Sequence, residues 1–391
     1  MSEEKRLNRA YSFFYPIMRF LVRRKFNYSF DSLKEIPGPY LLLANHNTDW
    51  DPIMVGLANG KRLRFVATEH ILRKKFAAWF LTRYFKPIVH MKGKLGTRST
   101  MEILRALRHE ESVCIFAEGN RSFYGVTGEI PEVTGKLAKK SGVSLVTFRF
   151  EGGYFTQPRW GKSFRKGRLH GSLVRVYSPE ELSKMSDTDV QRAICEDLHE
   201  DAYRRQDMNP VAFKGKNTAE GMEVALYCCP KCKSFSSLHS RGKRISCACG
   251  FSAEYDDFGN LTDEEHTVYT LSDLADEQRT YLRSMVFSGK KEALFSDTVT
   301  VGEVLDHKVP NTEEKTLTAY TDRFQIEQKE ITPKNIAGAA IFSRNTLLIH
   351  MEDPEGIRQY EVKGSESFSA IKYLDLWNLL KERQEEKNEN Q

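Results

Sequence analysis

The chain has 391 residues, more than one ordinary hydrophobic core serves, so two or three domains are expected, and its 40% hydrophobic content excludes a wholly disordered polymer. The net charge of +6 hides a split: residues 1–216 carry 38 Lys and Arg against 23 Asp and Glu, or +15, while the remainder carries 21 against 30, or −9. The amino-terminal half is therefore the part that attracts phosphate groups or an anionic membrane surface.

Residues 10–25 combine Phe13, Phe14, Ile17, Phe20 and Leu21 with a basic end at Arg23, Arg24 and Lys25. Two readings stand for them: a helix lying in a membrane interface, and an amphipathic helix packed on the domain. The run is short and broken by Pro16 and Arg19, so it is not read as a transmembrane helix. The charged start and the lack of a small-residue cleavage site argue against a signal peptide.

Tyr40, Leu41, Leu42 and Leu43 suit a buried strand, and Ile53, Met54, Val55 and Leu57 a packed helix, with Asp51 as its expected N-cap and Pro52 at the first helical position. His46 then falls on the strand-to-helix turn, at the carboxyl end of a strand, where α/β sheets bind ligands. A histidine is a general base near neutral pH, and a carboxylate such as Asp51 fixes its tautomer. The same pattern serves a capped helix with an unremarkable loop histidine.

Further strands are expected at 64–67, 87–90 and 113–116, and an amphipathic helix at 100–107. This alternation implies an α/β layered fold. Between them, Phe76 to Leu81, flanked by Arg73, Lys74, Lys75 and Arg83, is a second candidate for lipid contact. Lys92, Lys94 and Arg98 follow the 87–90 strand as possible phosphate contacts. At the end of the 113–116 strand, Gly119 lets a ligand approach the backbone, Arg121 offers a planar fork for a phosphate monoester, and Glu118 is placed to orient either.

Taken together, Asn45-His46-x4-Asp51-Pro52 and Phe116-Ala117-Glu118-Gly119-Asn120-Arg121-Ser122, about seventy residues apart, resemble the glycerolipid acyltransferases typified by lysophosphatidic acid acyltransferase. The resemblance covers roughly residues 25–205. It implies that His46 takes the proton from an acceptor hydroxyl, which then attacks the thioester of acyl-CoA or acyl-carrier protein, and that Asp51 holds the imidazole. Glu118, Gly119 and Arg121 fall on the family's acceptor-binding loop, with Arg121 meeting the glycerol phosphate. Ala117 and Asn120 stand where the family usually has proline and threonine, which changes loop stiffness and removes a hydroxyl.

Residues 158–168 are basic and aromatic, suited to coenzyme A phosphates or lipid headgroups, and equally to a solvated hairpin. A charged closing helix is expected at 186–205 and a linker at 209–222. Five of the seven cysteines crowd between Cys228 and Cys249. The pairs Cys229/Cys232 and Cys247/Cys249 resemble a zinc ribbon, a structural site closed by four thiolates in a reducing compartment. Its second knuckle is one residue tighter than usual, which leaves Cys228 or His239 as substitute ligands.

Beyond it a helix is expected at 272–285, capped by Ser272, then short strands at 317–320, 324–327, 336–342, 346–351 and 359–362, and a closing helix at 369–383. This order resembles a pleckstrin-homology architecture. The expected fold is thus α/β: an acyltransferase sheet flanked by helices (26–208) after an amphipathic helix (1–25), then a zinc-ribbon-like segment (223–262), and a β-rich domain closed by a helix (263–384) before a polar tail (385–391). The function it implies is peripheral or monotopic, on the cytoplasmic side of a membrane. A fatty acyl group moves to a lysophospholipid hydroxyl, with 1-acyl-glycerol-3-phosphate as the expected acceptor, membrane phospholipid as partner and no nucleic acid. The competing readings are a zinc-bearing nucleic-acid or protein-binding module and an inactive lipid-binding homologue.

Overall fold

The computed structural model describes residues 3–68, 79, 82–83, 86–90, 97–305, 308–353 and 356–389. Lys92, Lys94 and most of the 73–81 lipid-contact candidate lie outside the described residues. The chain divides into two units, residues 1–159 with 165–214, and residues 160–164 with 215–391.

The first unit opens with helix α1 (Glu3–Phe26) and strand β1 (Tyr28–Phe30). Its core is built on β2 (Tyr40–Ala44), all five residues of which are buried, as expected of a strand covered on both faces. After α2 (Asp51–Asn59) come β3 (Arg64–Thr68), β4 (Ile88–His90), α3 (Thr97–Arg108), β5 (Val113–Phe116), α4 (Val133–Lys140) and β6 (Ser144–Glu151). They are followed by α5 (Gly153–Thr156), β7 (Leu169–Tyr177), α6 (Pro179–Lys184), α7 (Asp187–Leu198) and α8 (Ala202–Met208).

The seven strands form one sheet in the order β1-β7-β6-β2-β5-β3-β4, parallel except for the β6–β7 pair. Alternate side chains of β2 point to opposite faces, and each face has its own core. Leu41 and Leu43 join Ile103, Leu107, Leu137, Val190 and Ile194 from the helices on one side. Leu42 and Ala44 join Val22, Phe26, Met54 and Val55 from α1 and α2 on the other. The expected single helix over 186–205 is two, because Ser186 caps α7 and Asp201 caps α8 by accepting from the N–H groups of Tyr203 and Arg204.

The second unit carries five antiparallel strands, β8 to β12 (Leu238–Arg241, Arg244–Cys247, Ser252–Tyr255, Asn260–Asp263 and Val268–Thr270). Helix α9 (Leu271–Phe287) follows, and its cap is Thr270 in a reciprocal box with Asp273, not Ser272. A second antiparallel sheet contains β13 (Ala293–Glu303), β14 (Glu313–Tyr320), β15 (Phe324–Ile326), β16 (Lys329–Ile331), β17 (Ile336–Phe342), β18 (Thr346–Asp353) and β19 (Gly356–Lys363). Its order, β16-β15-β14-β13-β19-β18-β17, joins the first strand to the last. Helix α10 (Ala370–Glu389) closes the chain. Lys372 on α10 is 1% exposed, and its ammonium lies 2.6 Å from both the Asp297 carboxylate on β13 and the Ser236 hydroxyl before β8.

Candidate active site and metal centre

The register of the first sheet brings the two motifs together. Ala44 at the end of β2 is level with Phe116 at the end of the parallel strand β5, so the loops that follow leave the sheet side by side at its carboxyl edge. They are then tied by backbone hydrogen bonds from Ala117 N–H to the Ala44 carbonyl (3.0 Å) and from Ser122 N–H to the His46 carbonyl (2.9 Å). On the opposite flank the Asn45 amide pairs with both backbone groups of Phe150 on β6, at 2.7 and 3.0 Å.

His46 Nδ1 lies 2.9 Å from Oδ2 of Asp51, and the imidazole stacks on Phe116 with ring centroids 4.4 Å apart. Asp51 is fully buried, and the same Oδ2 accepts from the N–H groups of Asn47 (2.6 Å) and Thr48 (2.9 Å), while Oδ1 accepts from the Thr48 hydroxyl at 2.5 Å. Asp51 is therefore not the N-cap that its position before Pro52 suggests. Trp50 holds the cap position, and Asp51 is the first helical residue, its carboxylate turned back onto the preceding turn. With Nδ1 facing a carboxylate, the ring carries its proton there and leaves Nε2 as the basic atom. The His46 side chain is 20% exposed, and among the described residues Nε2 has no partner.

Glu118 is held by backbone groups of both loops. Its Oε1 accepts from His46 N–H at 2.7 Å and its Oε2 from Gly128 N–H at 2.6 Å, so it clamps the histidine turn to the second loop. Burial pushes its carboxyl up to about 8, against those two hydrogen bonds, which favour the ionised form. Gly119 has φ +65, and a Cβ there would meet nothing within 4 Å, so the loop's outer face is open.

Arg121 is paired with Asp49, Nη1 to Oδ2 at 3.5 Å, and Gln157 donates to the same oxygen at 3.4 Å. Among the described residues, Asn120 Oδ1 and Gln157 Oε1 are buried without a hydrogen-bond partner, and Arg121 Nη1 has the Asp49 ion pair but no hydrogen bond. Native interiors rarely leave such groups unmet, which marks polar capacity beside Arg121. Arg159 adds a second guanidinium: it is 7% exposed and donates to the Arg121 carbonyl at 3.2 Å. Burial and the charge of Arg121 pull it down to about 9, and Asp49 offsets part of this. The basic composition of 158–168 was the only sequence signal for Arg159. Arg98 is exposed in the first turn of α3 and makes no side-chain bond among the described residues.

Residues 27–151 match the family model described as Acyltransferase. The solved structure of the 1-acyl-sn-glycerophosphate (LPA) acyltransferase PlsC from Thermotoga maritima is similar to this chain at 19% identity, over 49% of this chain and 78% of that one, with a TM-score of 0.42. No curated protein matches the chain. Both motif loops, with His46, Asp51, Glu118, Gly119 and Arg121, fall inside the matched stretch.

In the second unit, the sulfurs of Cys229, Cys232, Cys247 and Cys249 lie within 4.8 Å of one another. Cys229 to Cys249 is 3.6 Å and Cys232 to Cys247 is 3.8 Å. Four thiolates about 2.3 Å from a tetrahedral zinc stand roughly 3.8 Å apart, so the donors fit that ion, with no position left for a substrate. Neither substitute ligand takes part. Cys228 is buried with its sulfur 3.4 Å from the Lys233 carbonyl, and His239 lies on β8 outside the cluster.

Proposed function

We propose that the protein transfers a fatty acyl group from a thioester donor, acyl-CoA or acyl-carrier protein, to the free hydroxyl of a lysophospholipid at a membrane face, with 1-acyl-glycerol-3-phosphate as the acceptor. The observation that carries this reading is the buried Asp51 carboxylate holding Nδ1 of His46, on a turn bonded to the loop that bears Arg121. Nε2 of His46 takes the proton of the acceptor hydroxyl as that oxygen attacks the thioester carbonyl. A C–O bond forms, the C–S bond breaks, and the imidazolium returns its proton to the departing thiolate. Asp51 stabilises the imidazolium in between. The acceptor's phosphate pairs with Arg121 and Arg159, and its polar groups meet Asn120 and Gln157. Glu118 and Asn45 are positioning residues.

Membrane attachment is supported by α1, whose Phe13, Ile17, Phe20 and Leu21 are all exposed at helical spacing. Among the described residues no helix is long and apolar enough to cross a bilayer. The four clustered thiols hold a structural zinc in this reading, which suits the reducing, cytoplasmic side. The test is incubation of the purified full chain with labelled acyl-CoA and a panel of lysolipids. Transfer to phosphate-bearing lysolipids, absent in His46→Ala, is expected. Wild-type transfer by the His46→Ala variant would overturn the assignment.

A further inference from the structure

The first unit holds a cavity of about 450 Å³ whose walls include no residue of the His46 turn or the 116–122 loop. Three guanidinium groups line it: Arg19 and Arg23, one turn apart on α1, and Arg168, just before β7. Asn27, Tyr28 and Leu57 supply a polar group and apolar surface beside them. Among the described residues, none of these three arginines makes an ion pair or a side-chain hydrogen bond. The nearest acid in sequence to β1, Asp31, is already engaged by His170 and by the Leu173 N–H. Uncompensated like charges around one cavity repel, and that arrangement suits an anion that guanidinium forks grip from two sides.

The surroundings select among anions. On α1, residues 13, 17, 20 and 21 fall on one helical face; at about 100° per residue Arg23 lies roughly 60° beyond its edge, on the flank, and Arg19 roughly 100° beyond it. Phe13 and Phe20 are 66% and 64% exposed, and Ile17 and Leu21 are 45% and 47% exposed. A soluble phosphate ester needs the arginines and has no use for the stripe. A phospholipid uses both, its acyl chains lying among the inserted side chains while its phosphate enters the cavity.

We infer that this cavity is a headgroup site for an anionic membrane phospholipid that is neither acceptor nor product, and that it docks the enzyme with α1 in the interface. The inference rests on the membrane part of the proposed function and is independent of the His46 chemistry. It separates two kinds of basic residue on one surface: those that line the cavity and those that merely share its field.

The experiment is flotation of the full-length protein with phosphatidylcholine vesicles, with and without phosphatidylglycerol. Strong binding is expected only with the anionic lipid. Arg168→Gln, a change at an exposed side chain outside α1, should weaken that binding on the order of tenfold, the loss of one charge-assisted contact. Lys166→Gln removes one charge two residues away, from an exposed side chain that neither lines the cavity nor sits on α1, and should cost several-fold less. Unchanged melting temperatures establish that both variants fold. Equal losses in the two variants would overturn the site in favour of diffuse attraction. Binding of coenzyme A in the absence of vesicles, lost in Arg168→Gln, would overturn it in favour of a soluble occupant. Flotation reads no acyl transfer, so either failure leaves the catalytic reading standing, and an inactive protein that floats in an Arg168-dependent way would leave the headgroup site standing.

Discussion

Replacing Asp51 by asparagine separates its structural work from its charge. In the native turn, Oδ2 accepts from the His46 ring and from the N–H groups of Asn47 and Thr48, and Oδ1 accepts from the Thr48 hydroxyl. An asparagine with its oxygen at the Oδ2 position keeps the first three, and its NH₂ can donate to the Thr48 hydroxyl, which is free to rotate. The fold is therefore retained while the negative charge is lost. A charge-assisted hydrogen bond exceeds a neutral one by about 1–2 kcal/mol, and the direct attraction for an imidazolium near a protein surface reaches roughly 4 kcal/mol. These bracket the expected fall in kcat/KM between about tenfold and about 10³. His46→Ala removes the base and should lose ~10² to 10⁴. Because the two side chains act as a unit, the double variant should be no worse than His46→Ala alone. Initial rates of labelled acyl transfer, with melting temperature as a folding check, decide the matter. A folded Asp51→Asn at the wild-type rate, or losses that multiply in the double variant, would refute the pair as a catalytic unit.

Arg121→Gln should raise KM for a phosphate-bearing acceptor by roughly tenfold or more with little change in kcat, and Arg121→Lys should recover only part of this because lysine lacks the planar fork. An equal effect on a neutral monoacylglycerol acceptor would argue against phosphate contact. Elemental analysis should find one zinc per chain, lost with a drop in melting temperature in Cys247→Ser; a metal-free, fully stable wild type would contradict the four-thiol centre. Glu118 has its carboxyl raised to about 8 by burial, so the folded state favours the protonated form. Its contribution to stability is full below the ordinary carboxylate range and lost as pH rises through about 8. Melting temperatures from about pH 5 to about pH 9 should show this decline, and Glu118→Gln should flatten it; a flat wild-type profile would count against it. A Cβ at Gly153 would sit 2.7 Å from the Asn47 Cβ, so Gly153→Ala should cost about 1–3 kcal/mol and slow transfer together, read by denaturant melts and initial rates.

The layered α/β core was legible because β2 and β5 are short apolar runs and α3 is strongly periodic, signals that need no tertiary information. Strand β13 was missed although Thr298-Val299-Thr300-Val301 has the β-branched alternation of a strand; the polar Ser296-Asp297 ahead of it masks the run, which pairs with β14 and β19. Residue types and spacing singled out His46, Asp51 and Arg121, and the sheet register sets their loops side by side. The direction of a side chain is a different kind of information. Glu118 reads as an acceptor-loop residue from its motif alone, and only the fold shows that its oxygens also accept from the backbone N–H groups of His46 and Gly128. Arg159 lies some forty residues from Arg121 and meets it only through the fold. For the cysteines, spacing left three ways to complete the tetrahedron; the turn that directs Cys228 at the Lys233 carbonyl removed one, and the placement of His239 on β8 outside the cluster removed another.

The ammonium of Lys372 has a consequence for how the carboxy-terminal part can be dissected. One sequestered cation joins the cysteine loop, through Ser236, to the sheet, through Asp297, from a position on the terminal helix. Melting of the cysteine loop or the sheet leaves the buried amine short of an oxygen partner, and melting of the helix leaves Asp297 without its cation, so the three are coupled in unfolding. A fragment beginning at the seven-stranded sheet would keep the lysine and Asp297 but lose the Ser236 hydroxyl.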